Sequence, residues 1–180
     1  DVNTGDFTYT QVEPFDHADN TNNNEPININ FQYAVEDSDG DIETTAIRIS
    51  VRDDGPEVRS VTDTVVDETN FTVGPLTVNG QFNADVGEDV NGTFPGNDSF
   101  NATGSVATGA LRSCGDLIDV TFDLATNTYT GTANGTVVFT VVIDATDGSY
   151  TYTQFAPIDH ADTANPNDVI ALEFGIDVVD

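Results

Sequence analysis

Asp37, Asp39 and Asp41 alternate with two small residues in a short Asp-Ser-Asp-Gly-Asp segment. Alternate carboxylates across a glycine turn can converge on one point, as oxygen coordination of Ca²⁺ requires. The segment is not an EF-hand loop, because its glycine comes too early and Arg48 stands where the bidentate glutamate should be. We therefore predict a calcium site of another kind here, and the alternative is a solvated acidic turn.

Two further acidic groups follow the same stretch of chain. Asp53 and Asp54 stand directly before a Gly-Pro pair, and Asp67 and Glu68 follow a short way further on. We expect all four to contribute calcium ligands at a junction between neighbouring domains, where a bound ion would stiffen the connection. A second solvated turn is again the alternative.

A Pro-x-Asp-His-Ala-Asp block occurs at residues 14–19 and again at 157–162, and it contains both histidines of the chain. Histidine and aspartate are common metal ligands and proton carriers. However, each copy has a single histidine, and no nucleophile stands at a suitable spacing. We interpret the block as a turn whose carboxylates bind backbone amides or a calcium ion, rather than as a catalytic site.

The block belongs to a longer internal repeat. Residues 5–37 and 148–180 align without a gap, 143 positions apart, with 16 identities in 33 positions. A repeat of this length is typical of tandem arrays of near-independent domains, which serve reach and display. It favours a structural or presenting function over an enzyme. Paired carboxylates, as in a glycoside hydrolase, are too frequent in this chain to indicate catalysis.

Apolar and polar residues alternate along most of the chain, which is the pattern of half-buried strands. The pattern predicts an all-β protein and, from the regular spacing of short strands, a β-sandwich. The clearest predicted strands are residues 27–35, 45–51, 118–124, 136–143 and 150–155.

Turn signals separate these strands. The dipeptides Asn79-Gly80, Asn134-Gly135 and Asp147-Gly148 each lie between strand-like runs and predict tight hairpins. Residues 85–109 are rich in Gly, Asn and Asp and predict a long loop with one edge strand near Phe100. Any specificity of this repeat is expected in that loop.

The composition is strongly acidic, with 32 Asp and Glu against four Arg and a net charge of −28. Such a charge disfavours nucleic acids and anionic membranes as partners, and it needs salt or bound cations for balance. A salt-adapted surface is the alternative explanation. No stretch has the apolar length of a membrane span. Cys114, the single cysteine, excludes a disulfide framework and is predicted to be a small buried or half-buried residue.

Several of these motifs together resemble the 143-residue repeats of bacterial type I secretion giant adhesins, often called RTX adhesins. The resemblance covers nearly the whole chain and is specific only as a combination. Its motifs are residues 147–153, the two Pro-x-Asp-His-Ala-Asp blocks, and residues 37–41, 53–56, 66–69 and 80–89.

The resemblance implies an immunoglobulin-like, cadherin-like β-sandwich from the extension or ligand-presenting part of a very long Gram-negative surface protein. Such proteins are extracellular, are rigidified by Ca²⁺ and serve cell attachment and biofilm formation. Calcium ligation would carry over to Asp37, Asp39, Asp41, Asp53 and Asp54. The chain departs from the pattern in having a cysteine, and it lacks the nonapeptide that names the RTX proteins, which the extension region is not expected to contain.

The repeat leaves the domain organisation open. Residues 56–180 are predicted to form the main sandwich, and residues 1–55 are either an attached group of strands or part of one composite sandwich. Neighbouring repeats are the expected partners. The alternative function is a calcium-dependent sugar-binding or peptide-binding module that uses the loop at residues 85–109.

Overall fold

Antiparallel β-strands make up nearly all of the regular structure. The computed structural model describes residues 4–17, 25–87, 92–106, 110–162, 164–165 and 167–179, without the side chains of residues 70, 72 and 73. In this part of the chain the only helix is a short 3-10 helix, Glu68–Val73. No described helix has the length and apolar character needed to cross a membrane.

The described residues form eleven strands. They are Pro26–Glu36 (β1), Ile42–Arg52 (β2), Glu57–Val61 (β3), Leu76–Asp85 (β4), Gly96–Gly104 (β5), Arg112–Ser113 (β6), Asp116–Asp123 (β7), Thr128–Ala133 (β8), Thr136–Ile143 (β9), Ser149–Gln154 (β10) and Ile170–Ile176 (β11). Each strand predicted from the alternating pattern is present, with ends within three residues of the prediction.

The chain divides into two compact units, and β1 and β2 belong to the first. They form an antiparallel hairpin paired without a shift from Pro26 opposite Arg52 to Glu36 opposite Ile42. Apolar residues alternate with polar ones on both strands, as expected for a sheet with one apolar face. Part of that face is exposed, since the side chains of Phe31 and Val35 are 49% and 60% exposed.

The second unit contains all the other elements. Seven strands form one antiparallel sheet in the order β3-β4-β10-β9-β8-β7-β6, and β11 and β5 form a separate two-stranded sheet. Aromatic rings join the two sheets: Phe174 of β11 lies 5.2 Å from the ring of Tyr129 and 6.0 Å from that of Phe139. The prediction of an all-β antiparallel sandwich is confirmed, and the arrangement is consistent with an immunoglobulin-like fold.

The core of the second unit lies on β8, β9 and β10. Tyr129, Phe139, Val138 and Val141 are its largest fully buried side chains. The Tyr129 hydroxyl donates a hydrogen bond of 2.7 Å to the Gly175 carbonyl oxygen, which satisfies a polar atom in the core and ties the large sheet to β11. Burial also raises the pKa of Tyr129.

Two of the three predicted hairpin turns are confirmed. Asn134 and Gly135 connect β8 and β9, and both have positive φ, at 47° and 76°. This left-handed pair gives a tight turn whose twist matches the flanking strands. Asp147 and Gly148 lie in the connection from β9 to β10, where the Gly148 amide donates to the Asp144 carbonyl oxygen.

The predicted turn at Asn79-Gly80 is wrong, because both residues lie within β4. Gly80 faces Tyr150 on the neighbouring β10, and a Cβ at position 80 would overlap the tyrosine ring. The glycine therefore serves close packing against an aromatic ring and not a change of chain direction.

The prediction of a long loop at residues 85–109 is wrong in its central part. The nine-residue strand β5 lies there and pairs with β11, whereas the predicted edge strand near Phe100 is confirmed. The Phe100 ring packs 5.3 Å from that of Phe174. Most other residues of β5 are polar and exposed, so the alternating signal in the sequence was too weak to give the strand its full length.

The predicted burial of Cys114 is also wrong, since this residue is exposed. It lies in the turn between β6 and β7 with a φ of 52°. The turn places its backbone at the surface, and hydrogen bonding of the backbone amide, not packing of the thiol, positions the residue.

Candidate metal centre

The turn between β1 and β2 contains the three alternating aspartates. The Asp37 amide donates to the Asp41 carbonyl oxygen at 3.0 Å and thereby closes the turn. Gly40 has a φ of 94°, a conformation that residues with a Cβ rarely adopt. The Asp37 side chain stabilises the turn further, because its Oδ1 accepts hydrogen bonds from the amides of Asp39 and Asp41, at 3.3 and 3.0 Å.

This turn brings Asp37, Asp39 and Asp41 together. One carboxylate oxygen of each residue lies within 4.8 Å of the other two, and all three side chains are exposed. Oxygen ligands bind Ca²⁺ at about 2.3–2.6 Å, so two ligands on opposite sides of one ion are roughly 5 Å apart. The spacing therefore fits a shared calcium ion, with water or backbone oxygens completing the coordination.

The electrostatics of the turn favour a charged Asp37. Its pKa is lowered from the ordinary value, first by a side-chain hydrogen bond with Asp39 and then by the Asp41 amide. An ionised Asp37 next to two further carboxylates gives a locally negative site, which attracts a divalent cation.

Asp53 and Asp54 lie just after β2, in the first unit. Asp53 Oδ1 accepts a hydrogen bond of 3.0 Å from the Asp54 amide and is 3.3 Å from Nδ1 of His17. The His17 side chain is only 6% exposed, and among the described residues neither of its ring nitrogens makes a hydrogen bond. Asp53 therefore fixes the backbone just after the end of β2, and its carboxylate lies beside the buried side chain of His17.

Asp67 and Glu68 are at the start of the 3-10 helix in the second unit. Asp67 caps this helix by accepting hydrogen bonds from the amide and hydroxyl of Thr69, which lower its pKa. Glu68 Oε1 accepts from the Ile158 amide at 2.8 Å and from the Gln154 side chain. Both carboxylates thus stabilise local structure.

Among the described residues, Asp37, Asp39 and Asp41 form the only group of three potential metal ligands within reach of one ion. Asp53, Asp54, Asp67 and Glu68 are not members of such a group. For these four residues, a calcium role stays a prediction.

The second Pro-x-Asp-His-Ala-Asp block is held by hydrogen bonds to distant segments of the chain, since the Asp159 amide donates to the Arg112 carbonyl oxygen and the Ala161 amide to that of Ser105. Asp159 accepts hydrogen bonds from the amides of Cys114 and Gly115, at 2.9 and 2.6 Å, and so fixes the tight connection between β6 and β7. The prediction that the carboxylates of the block bind backbone amides is confirmed for this copy, whereas the predicted turn is wrong, because His160 pairs with Val106 in an isolated antiparallel bridge. Residues 18 and 19 of the first copy lie outside the described residues.

His160 connects this block to the residues just before β11. Its Nδ1 lies 2.9 Å from Asp168 Oδ1, and its Nε2 lies 4.0 Å from Glu68 Oε2. Asp168 also accepts a hydrogen bond from the Ser105 hydroxyl, and this hydroxyl accepts one from the Asp162 amide at 3.1 Å. The histidine is thus positioned by two carboxylates and has no neighbouring nucleophile among these contacts.

The sequence analysis missed Ser105 and Asp168, although a signal for Asp168 was present. Asp168 aligns with Glu25 in the repeat, so both copies have an acid at this position. Ser105 lies outside the repeated segment and has no comparable signal. The pKa of the Asp168 carboxyl is lowered, first by the hydrogen bond from the Ser105 hydroxyl and then by the hydrogen bond from the Asp162 amide.

Comparison with known families gives one match. Residues 63–179 match the model of a domain of unknown function, DUF5801, which is 117 of the 180 residues. The chain belongs to the DUF5801 family. The DUF5801 segment contains β4 to β11, the 3-10 helix and the second Pro-x-Asp-His-Ala-Asp block, whereas the acidic turn of β1 and β2 lies outside it. No curated protein and no solved structure matches the chain.

Proposed function

We propose that this chain is a non-catalytic, calcium-stabilised module of a large bacterial surface adhesin of the RTX type. In this proposal it is a rigid extender that presents ligand-binding domains for cell attachment and biofilm formation. Its partners are neighbouring repeats of the same chain. Its location is extracellular, on a Gram-negative cell whose outer membrane anchors the rest of the parent protein after type I secretion.

The internal repeat carries the extender part of the proposal. Two copies of one segment, 143 residues apart, are expected for stacked domains that each contribute length. The acidic turn between β1 and β2 supports the calcium part, because three carboxylates lie within reach of one ion. A net charge of −28 further favours cation binding, since bound Ca²⁺ reduces repulsion within the folded state.

The alternative is a calcium-dependent module that binds a sugar or a peptide through residues 85–109. Since β5 occupies the centre of this segment, less of it is available as a loop than the sequence suggested. No observation on the described residues favours this alternative. Glycan and peptide arrays with and without a chelator would detect such binding, whereas a spacer should give no signal in either condition.

The proposal is tested by thermal unfolding in millimolar Ca²⁺, in EDTA and in Mg²⁺ at equal ionic strength. A ligand that binds only the folded state stabilises it by about 4 kcal/mol at a thousandfold excess over its Kd. We expect a rise in Tm that is specific for Ca²⁺. The double variant Asp37→Ala/Asp39→Ala should lose most of this rise, and its Tm in EDTA should fall only slightly, because the exposed Asp37 no longer accepts the two amide hydrogen bonds of the turn.

A matched control removes the same charge elsewhere. Asp116→Ala/Asp119→Ala changes two exposed acids on β7 and should keep the full calcium response. Equal effects of Ca²⁺ and Mg²⁺ on the unchanged chain would contradict the proposal, because plain charge screening would then explain the acidic composition.

A further inference from the structure

Strand β11 has one paired edge and one open edge. Among the described residues it pairs only with β5. A cavity of about 620 Å³ lies beside it, lined largely by apolar side chains of β9, β10, β11 and the segment after β3. Val65 and Val169, which line this cavity, are 84% and 68% exposed. The smaller sheet of the second unit thus ends next to an uncovered apolar surface.

The internal repeat indicates which strand fits this edge. Residues 170–176 of β11 align with residues 27–33 of β1 in the gap-free repeat. In the first unit those residues of β1 pair with β2 in antiparallel register. The same segment therefore pairs with β2 in its first copy and has an open edge in its second copy.

We propose that the open edge of β11 is the docking site for a β2-type strand, residues 42–52 of another copy of this repeat. Transferring the observed register places Val51 opposite Ile170, Ile49 opposite Leu172 and Ile47 opposite Phe174. In this arrangement the smaller sheet gains a third strand and the cavity is covered.

The side-chain pattern of β2 fits this role. Ile47, Ile49 and Val51 alternate with polar residues, so all three lie on one face of the strand. Their register partners Ile170, Leu172 and Phe174 pack against the core of the second unit. Opposed residues of paired strands lie on the same face, so the three aliphatic side chains of β2 would extend that core over the cavity.

Charge favours the same register. Arg48 stands opposite Asn30 in the hairpin and donates hydrogen bonds to Asn28. The corresponding residue opposite Arg48 on β11 is Glu173. A directly opposed Arg–Glu pair stabilises an antiparallel sheet. Arg48 is one of four basic residues in the chain, and this register places it opposite Glu173, the one acid of β11.

The proposal rests on the tandem-repeat part of the proposed function and not on its calcium part. The experiment is therefore done in EDTA, where failure of calcium binding has no effect on the result. A copy of residues 38–54 is added after Asp180 of the full chain. Because Asp180 aligns with Asp37, the junction keeps the spacing of the natural turn.

The added strand should raise Tm by about 5 °C, since covering three aliphatic side chains outweighs the cost of ordering one strand. Amide hydrogen exchange in β11 should slow at the same time. The control extension carries Ser at the positions that copy Ile47, Ile49 and Val51, and it should change neither quantity. Equal behaviour of the two extensions would overturn the proposal.

Charge reversal tests the register. Glu173→Lys in the extended chain should remove part of the gain in Tm, and exchanging the added copy of Arg48 for Glu should restore it. Protection of β5 or β3 without protection of β11 would contradict the assignment.

Discussion

The two copies of the repeat share 16 of 33 residues but differ in structure. Residues 8–11 and residues 151–154 both read Thr-Tyr-Thr-Gln. The second of these segments lies in β10, between β4 and β9, whereas the first is not in a strand. The local sequence therefore permits a strand, and neighbouring strands decide whether it forms.

The histidines of the two copies show the same effect. His160 lies 2.9 Å from Asp168, within its own copy of the repeat. His17 lies 3.3 Å from Asp53, which is outside the repeated segment. The histidine of the motif thus lies beside a carboxylate in both units, but the carboxylate belongs to the repeated segment in the second unit only.

Removal of the tyrosine that both copies contain should give the largest difference between the copies. Tyr152 is 8% exposed, and its ring stacks 5.8 Å from that of Phe139. Its hydroxyl lies 3.2 Å from the side-chain oxygen of Gln154, and burial, followed by the charge of Glu68, raises its pKa. Tyr152→Ala should cost about 3–5 kcal/mol of unfolding free energy.

Tyr9→Ala is the matched control, because Tyr9 occupies the same repeat position outside any strand. It should cost about 1 kcal/mol or less. Urea unfolding followed by circular dichroism measures both variants. Similar losses in the two would mean that the first copy also forms a packed strand in solution.

The aspartate of the block should give the next largest difference. Asp159→Ala removes the acceptor of two backbone amides in the turn between β6 and β7. It should cost about 1–3 kcal/mol, because hydrogen bonds to a charged group are lost. Asp16→Ala in the first copy changes an exposed side chain and should stay within about 0.5 kcal/mol. Equal denaturation midpoints of the two variants would show that the turn does not depend on Asp159.

The smallest expected effect concerns pH. The pKa of Asp168 is lowered in the folded state, first by the Ser105 hydroxyl. Its contribution to stability is therefore complete above the unfolded value of about 3.9 and is lost as the pH falls through the folded value. Asp168→Asn should lower Tm at pH 7 and reduce the further fall in Tm below about pH 4.

Glu25→Gln is the control for this variant, since Glu25 aligns with Asp168 but belongs to the first unit. It should leave the acid unfolding of the second unit unchanged. Differential scanning calorimetry between pH 2 and pH 7 gives the comparison. If Asp168→Asn leaves the fall in Tm at low pH unchanged, Asp168 is excluded as a source of the pH dependence.

The predictions are correct where a run of apolar residues marks a strand, and wrong where a residue is present for a contact with a distant strand. Strand β9 begins and ends as predicted, because residues 137–143 form an apolar run that only Thr140 interrupts. The glycine at position 80 was read as a turn signal, although it makes room for the Tyr150 ring of another strand. Such a contact joins residues distant in sequence, so no local pattern contains it.

The sequence alone determined the all-β class, the 143-residue repeat and the acidic turn that brings Asp37, Asp39 and Asp41 together. The fold class and the acidic turn depend on alternation and spacing over a few residues, and the repeat depends on identities between two segments of the chain. The tertiary structure decided that β11 pairs with β5 and that His160 lies against Asp168. It did so because strand pairing and side-chain contacts depend on which distant segments are present to satisfy exposed backbone and apolar surface.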